Sequence, residues 1–149
     1  MFEISFETST NQFETDGRVT IGDHWETFTA SHAVWDRRRY EQEWRKAADQ
    51  VVAGLPGCFV IDLAPGEAGY RAEGWIVWPE ADVGVVQNQL LLAESGFDPD
   101  RPHAFLPPVP QRVTDEGDRV STWRIGLADF EAWRRRQADS DRPTRRFEA

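Results

Sequence analysis

The chain has 149 residues, 40% of them hydrophobic, with seven Trp and a formal net charge of −9. This length predicts one domain, and the hydrophobic content is enough for a real core, which excludes a largely disordered chain. The acidic balance excludes the usual nucleic-acid binder, because phosphate contacts need clustered Lys and Arg. No run approaches the ~20 apolar residues of a membrane span, so we predict no membrane partner.

Most of the chain is acidic, from its N-terminus onward. The N-terminal stretch "MFEISFETST" is acidic and lacks the pattern of a signal peptide, and Cys58 is the single cysteine. Both features predict a cytoplasmic protein without a disulfide. Residues 1 to 126 hold 21 acidic against 11 basic side chains, a net of −10. An acidic body of this kind suits a basic protein partner, although it also serves solubility alone.

The first thirty residues predict three short strands: "FEISFE" and "WETFTA" alternate in hydrophobicity, and "GRVTIG" is bounded by glycines. The period then changes to three and four, which predicts an amphipathic helix from Ala33 to Ala53. Ser31 is the expected N-cap of this helix.

Two further strands, "RAEGWIVW" and "VGVVQNQLLL", follow a strand at "CFVIDLA" and are predicted to form a hairpin. The segment from Pro99 to Pro110 holds five prolines and therefore cannot be a central strand.

Near the end of the chain, "QRVT" and "RVSTWRI" flank a "DEGD" turn and predict another hairpin, and "LADFEAWRRRQ" predicts a helix. We expect one domain over residues 1–137 and a polar, frayed tail over 138–149. The predicted fold class is α+β: a mainly antiparallel sheet packed by one long amphipathic helix, with a short C-terminal helix.

Residues that could carry chemistry are scattered. His24, His32, His103 and Cys58 show no ligand spacing, so no metal site is predicted, and no phosphate loop or nucleophile motif is present. We therefore predict neither an enzyme nor a cofactor. An enzymatic or small-molecule-binding domain with a pocket lined by Trp75, Trp78 and Trp123 remains an alternative.

Three consecutive amides interrupt the most apolar strand at Gln87, Asn88 and Gln89. Alternation places Asn88 on the face with Val86 and Leu90, taken here as the core face, so its amide should be hydrogen-bonded and structural. Gln87 and Gln89 share the other, less apolar face, where they either contact a partner or face solvent. The candidate partner-binding residues around this hairpin are Glu73, Glu80, Asp82, Gln87 and Gln89.

Three stretches together resemble the immunity proteins of bacterial contact-dependent growth inhibition: "WDRRRYEQEWRKAADQVVAG", "GWIVWPEADVGVVQNQLLL" and "RVSTWRIGLADFEAW". Most of the shared residues are aromatic or apolar and support a common scaffold. The structural residues expected from these stretches and from the amide pattern are Trp35, Tyr40, Trp44, Trp123 and Asn88.

The resemblance implies a non-enzymatic cytoplasmic protein that binds one cognate toxin domain and occludes its active site. Such toxins are often nucleases with basic clefts, to which an acidic inhibitor would be steered. The resemblance assigns no contact residue and no oligomeric state. The alternative in the same class is a protein-interaction module without a toxin partner.

Overall fold

A computed structural model describes residues 1–141, apart from the side chains of Thr8, Ser9, Thr10, Ser95, Ser140 and Asp141. The described residues form seven strands and two α-helices: β1 (Phe2–Thr10), β2 (Glu14–Ile21), β3 (His24–Ser31), α1 (Arg37–Val52), β4 (Gly57–Gly66), β5 (Gly69–Glu80), β6 (Val83–Leu92), β7 (Trp123–Gly126) and α2 (Leu127–Asp141). A short 3-10 turn at Ala93–Ser95 follows β6. The predicted α+β class is confirmed.

The strands form two antiparallel sheets, one of order β1-β2-β3 and one of order β4-β5-β6-β7. In the first sheet, Phe2 pairs with Ile21 and Ile21 with His24, so side chains at alternate positions lie on one face. That face is buried at Phe2, Ile4, Phe6, Val19, Ile21, Phe28 and Ala30. The alternation seen in the sequence therefore gives all three predicted strands and one core-facing side.

Helix α1 begins later than the sequence suggested. Asp36 is its N-cap, and its carboxylate Oδ1 accepts a hydrogen bond from the Arg39 backbone N–H at 2.8 Å. The prediction of Ser31 as the cap is wrong, because Ser31 ends β3. Gly54, with φ of +88°, follows the helix and reverses the chain, a conformation in which glycine has no side-chain clash.

The second sheet contains the predicted β5–β6 hairpin, with Trp78 opposite Val85 and Trp75 opposite Asn88. One face of this sheet packs on the first sheet and α2, where the Phe2 and Phe59 rings lie 4.8 Å apart. Residues 96–122 form no helix or strand and lie against the other face of this sheet. We name this segment the cover loop.

The predicted hairpin between "QRVT" and "RVSTWRI" forms only next to its turn. An antiparallel bridge joins Val113 to Arg119, and backbone hydrogen bonds join Thr114 to Asp118 and Val120 to Arg112, but no strand extends from them and β7 pairs with β6 instead. The physical reason is that the backbone N–H and C=O of Gln111 bond to the Gln87 side chain rather than to a neighbouring strand. Helix α2 starts at the predicted Leu127 and continues to Asp141, past the predicted end at Gln137. Residues 142–149 of the predicted tail lie outside the described residues.

Tyr40 links both sheets through α1. Its buried hydroxyl donates to the Ser31 carbonyl of β3 at 2.7 Å and accepts from the Leu63 N–H of β4 at 2.9 Å. Burial raises the pKa of the Tyr40 hydroxyl, against the opposing effect of the Leu63 hydrogen bond, so it stays neutral and able to donate. Trp35 and Trp44 lie in the same buried core, with the Trp35 and Tyr40 rings 5.3 Å apart.

Changing Tyr40→Phe should lower the free energy of unfolding by about 1–2 kcal/mol, because two backbone groups lose their partner. Urea unfolding monitored by circular dichroism measures this change. Tyr70→Phe is the matched control, since Tyr70 is 42% exposed and its hydroxyl has no hydrogen bond within residues 1–141. Equal stability of the two variants would show that the Tyr40 hydroxyl does not join the sheets.

Candidate functional site

Gln87 is the centre of a buried amide network on β6. Its side chain is 1% exposed, and its Nε2 donates to the Gln111 carbonyl at 2.6 Å and to Thr122 Oγ1 at 2.8 Å. Its Oε1 accepts from the Gln111 N–H and from Gln89 Nε2, each at 3.0 Å. Both donor hydrogens and the acceptor oxygen of the amide are therefore satisfied. Gln87 holds the two ends of the 111–122 stretch of the cover loop against the sheet.

The face assignment made from the sequence is thus wrong for Gln87. The face with Val85 and Gln87 is covered, and a side chain that is 1% exposed is not available to a partner. Alternation correctly put Val85, Gln87 and Leu91 on one face, but it could not show that the cover loop packs there. Leu90, expected in the core, is instead 53% exposed.

Asn88 also differs from the expectation. It is half-buried on the face opposite Gln87, and its Nδ2 has no hydrogen-bond partner within residues 1–141. The Nε1 of its cross-strand neighbour Trp75 is likewise unpartnered in that part of the chain. The predicted hydrogen-bonded role of Asn88 is therefore not what the structure shows.

The other candidate contact residues do not form one surface. Glu80 is exposed and paired with Arg124, with 3.2 Å between its Oε2 and the Arg124 Nη1, and Asp82 is exposed at the β5–β6 turn. Glu73 lies seven residues before Glu80 along β5, which corresponds to roughly 24 Å of extended strand. Gln89 is half-buried and is bonded to Gln87. Acidic charge at this hairpin is therefore distributed along its length.

The pocket lined by three tryptophans does not exist as predicted. Trp75 and Trp78 are three residues apart on β5, so they lie on opposite faces of the sheet, and both are buried. The ring of Trp123, predicted to be structural, is half-buried on the Trp75 face, with centroids 5.5 Å apart, and His24 stacks on it. Trp75 and Trp123 pack toward His24 of the first sheet, whereas Trp78 lies under the cover loop, so the three rings do not line one cavity.

Glu43 and His103 lie close together in the fold, although no pattern in the sequence predicts this contact. Glu43 is 1% exposed on α1, and its Oε1 accepts from Arg39 Nε at 3.0 Å and Lys46 Nζ at 3.2 Å. Its Oε2 lies 3.6 Å from His103 Nε2 of the cover loop. His103 Nδ1 accepts from the Cys58 N–H at 3.2 Å, so the neutral ring carries its proton on Nε2, facing Glu43.

Burial opposes the charge of the Glu43 carboxylate, but the nearby His103 Nε2–H, the hydrogen bond from Lys46 and the charges of Lys46 and Arg39 outweigh it. The net result lowers the pKa of Glu43 to about 2. At 3.6 Å the His103 contact is too long for a hydrogen bond, and neither Glu43 Oε2 nor His103 Nε2 has one within residues 1–141, so Lys46 and Arg39 provide most of the stabilisation. The Cys58 thiol is inert here, because burial raises its pKa.

Two concave regions border the cover loop. A groove of about 1080 Å³ lies between the β6–β7 edge and the loop, lined among others by Gln87, Val109, Arg112, Arg119 and Arg124. A smaller cavity of about 170 Å³ lies further along β6, lined mainly by apolar side chains that include Leu91, Phe97, Phe105 and Leu106. The residues missed by the sequence reasoning are therefore those of the cover loop, and their available signal was the proline-rich run.

Other kinds of site find no support within residues 1–141. No group of three or more His, Cys, Asp or Glu side chains there is arranged to hold a metal ion. Over the same residues, neither helix has the length and apolarity needed to cross a membrane.

A solved structure shares this fold. A chain of the CdiA-CT/CdiI toxin and immunity complex from Enterobacter cloacae is similar to it with a TM-score of 0.76 at 18% sequence identity. That similarity covers 93% of this chain and 99% of the other. No curated protein matches the sequence.

The family comparison is more specific than the fold. A family model described as the CdiI N-terminal domain matches residues 30–133. The match runs from the end of β3 into α2 and so includes α1, the whole second sheet and the cover loop. Because it spans more than half of the sequence, the chain belongs to the CdiI family, the immunity proteins of contact-dependent growth inhibition.

Proposed function

We propose that this protein is a non-enzymatic inhibitor that binds one cognate contact-dependent growth inhibition toxin domain in the cytoplasm and neutralises it. The observation that carries the proposal is the family match over residues 30–133. The fold similarity to a chain of a toxin and immunity complex supports a protein partner. The net charge of −9 supports a basic toxin surface, as expected of a nuclease.

We further propose that binding occludes the toxin's active site. An inhibitor of this size presents enough surface for a standard interface of about 800 Å² per partner, which can cover a catalytic cleft. The chain's own acidic side chains would exclude a nucleic-acid substrate from the same cleft by charge repulsion. Neutralisation then needs no chemistry from the inhibitor.

The experiment that tests this function is co-purification and calorimetry of the full chain with the C-terminal toxin domain encoded beside it. Expected results are one-to-one binding with nanomolar affinity and restored growth of cells that express the toxin domain. If the toxin degrades nucleic acid in vitro, the inhibitor should abolish that activity in competition with substrate. A complex that retains full nuclease activity would reject active-site occlusion, and absence of binding would reject the toxin partner.

Binding without growth rescue would instead favour the general protein-interaction module. The small-molecule alternative is not favoured by any described feature, because Trp75 and Trp78 do not share a cavity.

A further inference from the structure

The cover loop is unusually long for a connection inside a small domain. It runs from residue 96 to 122, between the 3-10 turn and β7, with no strand or helix of its own. Connections longer than about 12–15 residues without secondary structure are uncommon in compact domains, and ordered ones are frequently functional. The length of the loop therefore indicates a role beyond joining β6 to β7.

Buried side chains of the scaffold fix this loop in one conformation. Trp78 Nε1 donates to the Pro107 carbonyl at 2.8 Å, Gln87 bonds to Gln111 and Thr122, and the Cys58 N–H bonds to His103. Prolines further restrict the backbone between these points. A surface that is already ordered loses little conformational entropy when a partner binds.

The outer side of the loop is apolar. Phe105 is 56% exposed, Val109 66% and Val113 50%, and neighbouring Leu90 of β6 is 53% exposed. Phe105 also borders the 170 Å³ cavity, which is large enough to receive one apolar side chain from another protein. Exposed apolar side chains beside a preformed pocket are the usual setting of an interface hot spot.

One stretch of the loop differs in charge from the rest of the chain. Residues 101–114 contain no Asp or Glu, although the chain holds 26 of them. Arg112 and Arg119 line the groove, and neither guanidinium has an ion-pair partner within residues 1–141. Arg and aromatic side chains are enriched in protein interfaces, whereas Glu and Asp are depleted. Two unpaired guanidiniums on an acidic protein are complementary to carboxylates of a partner.

We propose that the outer side of the cover loop, with Phe105, Val109, Arg112, Val113 and Arg119, is the surface that binds the toxin domain. The toxin contributes an apolar anchor side chain to the cavity beside Phe105 and carboxylates to Arg112 and Arg119. This inference rests on the proposed function and assigns the contact to the loop instead of the acidic β5–β6 hairpin.

Two other occupants fit the surface less well. A nucleic acid would be repelled by the net charge of −9 and by Asp115, Glu116 and Asp118 in the turn that precedes Arg119. A symmetric second copy would bring Arg112 and Arg119 near their own equivalents, which are like charges.

The test compares loop variants of the full chain with matched controls in calorimetry against the toxin domain. Arg112→Glu and Arg119→Glu should each weaken binding about tenfold or more, because a like charge then faces the toxin's carboxylates. Arg38→Glu is the control, since Arg38 is exposed on α1 and has no ion-pair partner within residues 1–141. Arg38→Glu should change the affinity less than about threefold, because it acts on the toxin only through long-range electrostatics.

The apolar half of the surface has its own pair of variants. Phe105→Ala should weaken binding about thirtyfold, as expected for a central anchor. Leu55→Ala is the control, with a similar exposed fraction of 55% but a position just beyond α1. All five substituted positions are exposed, so melting temperatures should remain close to that of the wild type, and this measurement separates lost contact from lost fold.

The outcomes distinguish the two proposals. Wild-type binding with unchanged affinity in the loop variants would overturn the loop surface and leave the toxin partner intact. An equal loss with Arg38→Glu would assign the effect to net charge and also overturn it. A wild-type dimer that dissociates on Phe105→Ala would give the surface to a second copy. No binding by the wild type would reject both proposals.

Discussion

Replacing Gln87 with alanine should lower the free energy of unfolding by about 2–4 kcal/mol, although the residue is polar. The change leaves the Gln111 N–H, the Gln111 carbonyl and the Thr122 hydroxyl without their buried partner. An unsatisfied buried group costs about 1–3 kcal/mol, but Gln111 and Thr122 are exposed residues, so water recovers part of the sum. Urea unfolding at neutral pH measures the loss.

Gln89→Ala is the matched control for this prediction. Gln89 is half-buried and makes one hydrogen bond, to Gln87 Oε1. When Gln89 is replaced, this oxygen still accepts the hydrogen bond from the Gln111 N–H. Its loss should stay under about 1 kcal/mol. Hydrogen exchange should also show faster exchange at Gln111 in the Gln87 variant. Equal stability of the two variants would mean that Gln87 does not anchor the cover loop.

Glu43→Gln should remove a pH dependence of stability worth about 3 kcal/mol. The folded protein holds the pKa of Glu43 at about 2, against 4.5 for the ordinary carboxyl group. A depressed carboxyl pKa stabilises the folded state fully above the unfolded value, and this stabilisation is lost as the pH falls toward the folded value. The wild type should therefore lose this contribution between about pH 5 and pH 2, whereas the variant should not.

Unfolding free energies at several pH values between 2 and 7 measure the difference between wild type and variant. Glu41→Gln serves as control, because the side chain of Glu41 is 36% exposed and its pair with Arg37 is a surface contact of 3.6 Å. Its pH profile should follow that of the wild type. Parallel profiles for wild type and Glu43→Gln would show that Lys46 and Arg39 do not hold the carboxylate in its charged form.

Both variants also bear on the cover loop. Gln87 anchors its 111–122 stretch, and Glu43 faces His103 near its start. A loss at either anchor should loosen the proposed toxin surface without touching it. For this reason the exposed variants of the loop, and not these buried ones, separate contact from support.

Local patterns in the sequence determined the regular elements. The three-and-four spacing of Tyr40, Trp44 and Val51 predicted α1 and its buried side. Alternation predicted strands of the first sheet, and apolar runs bounded by turn residues predicted those of the second sheet and the β5–β6 hairpin. These elements are stabilised by periodic burial, which a sequence displays directly. The sequence predicts eight strands, whereas the described residues form seven, because "QRVT" does not become a strand. The turn residues at 115–118 indicate that the chain reverses, but they do not indicate which strands pair on either side of the turn.

The candidate site was decided by tertiary structure. Alternation on β6 correctly separated the face of Gln87 from the face of Asn88, but the assignment of the buried side was wrong for Gln87. The covering segment is aperiodic, and its contacts to Gln87 come from residues 24 and 35 positions away. Glu43 and His103 are likewise 60 residues apart in sequence. Periodicity indicates which side chains share a face of a strand. Whether that face is buried depends on where a distant loop packs, and the packing of the loop is decided only in the folded chain.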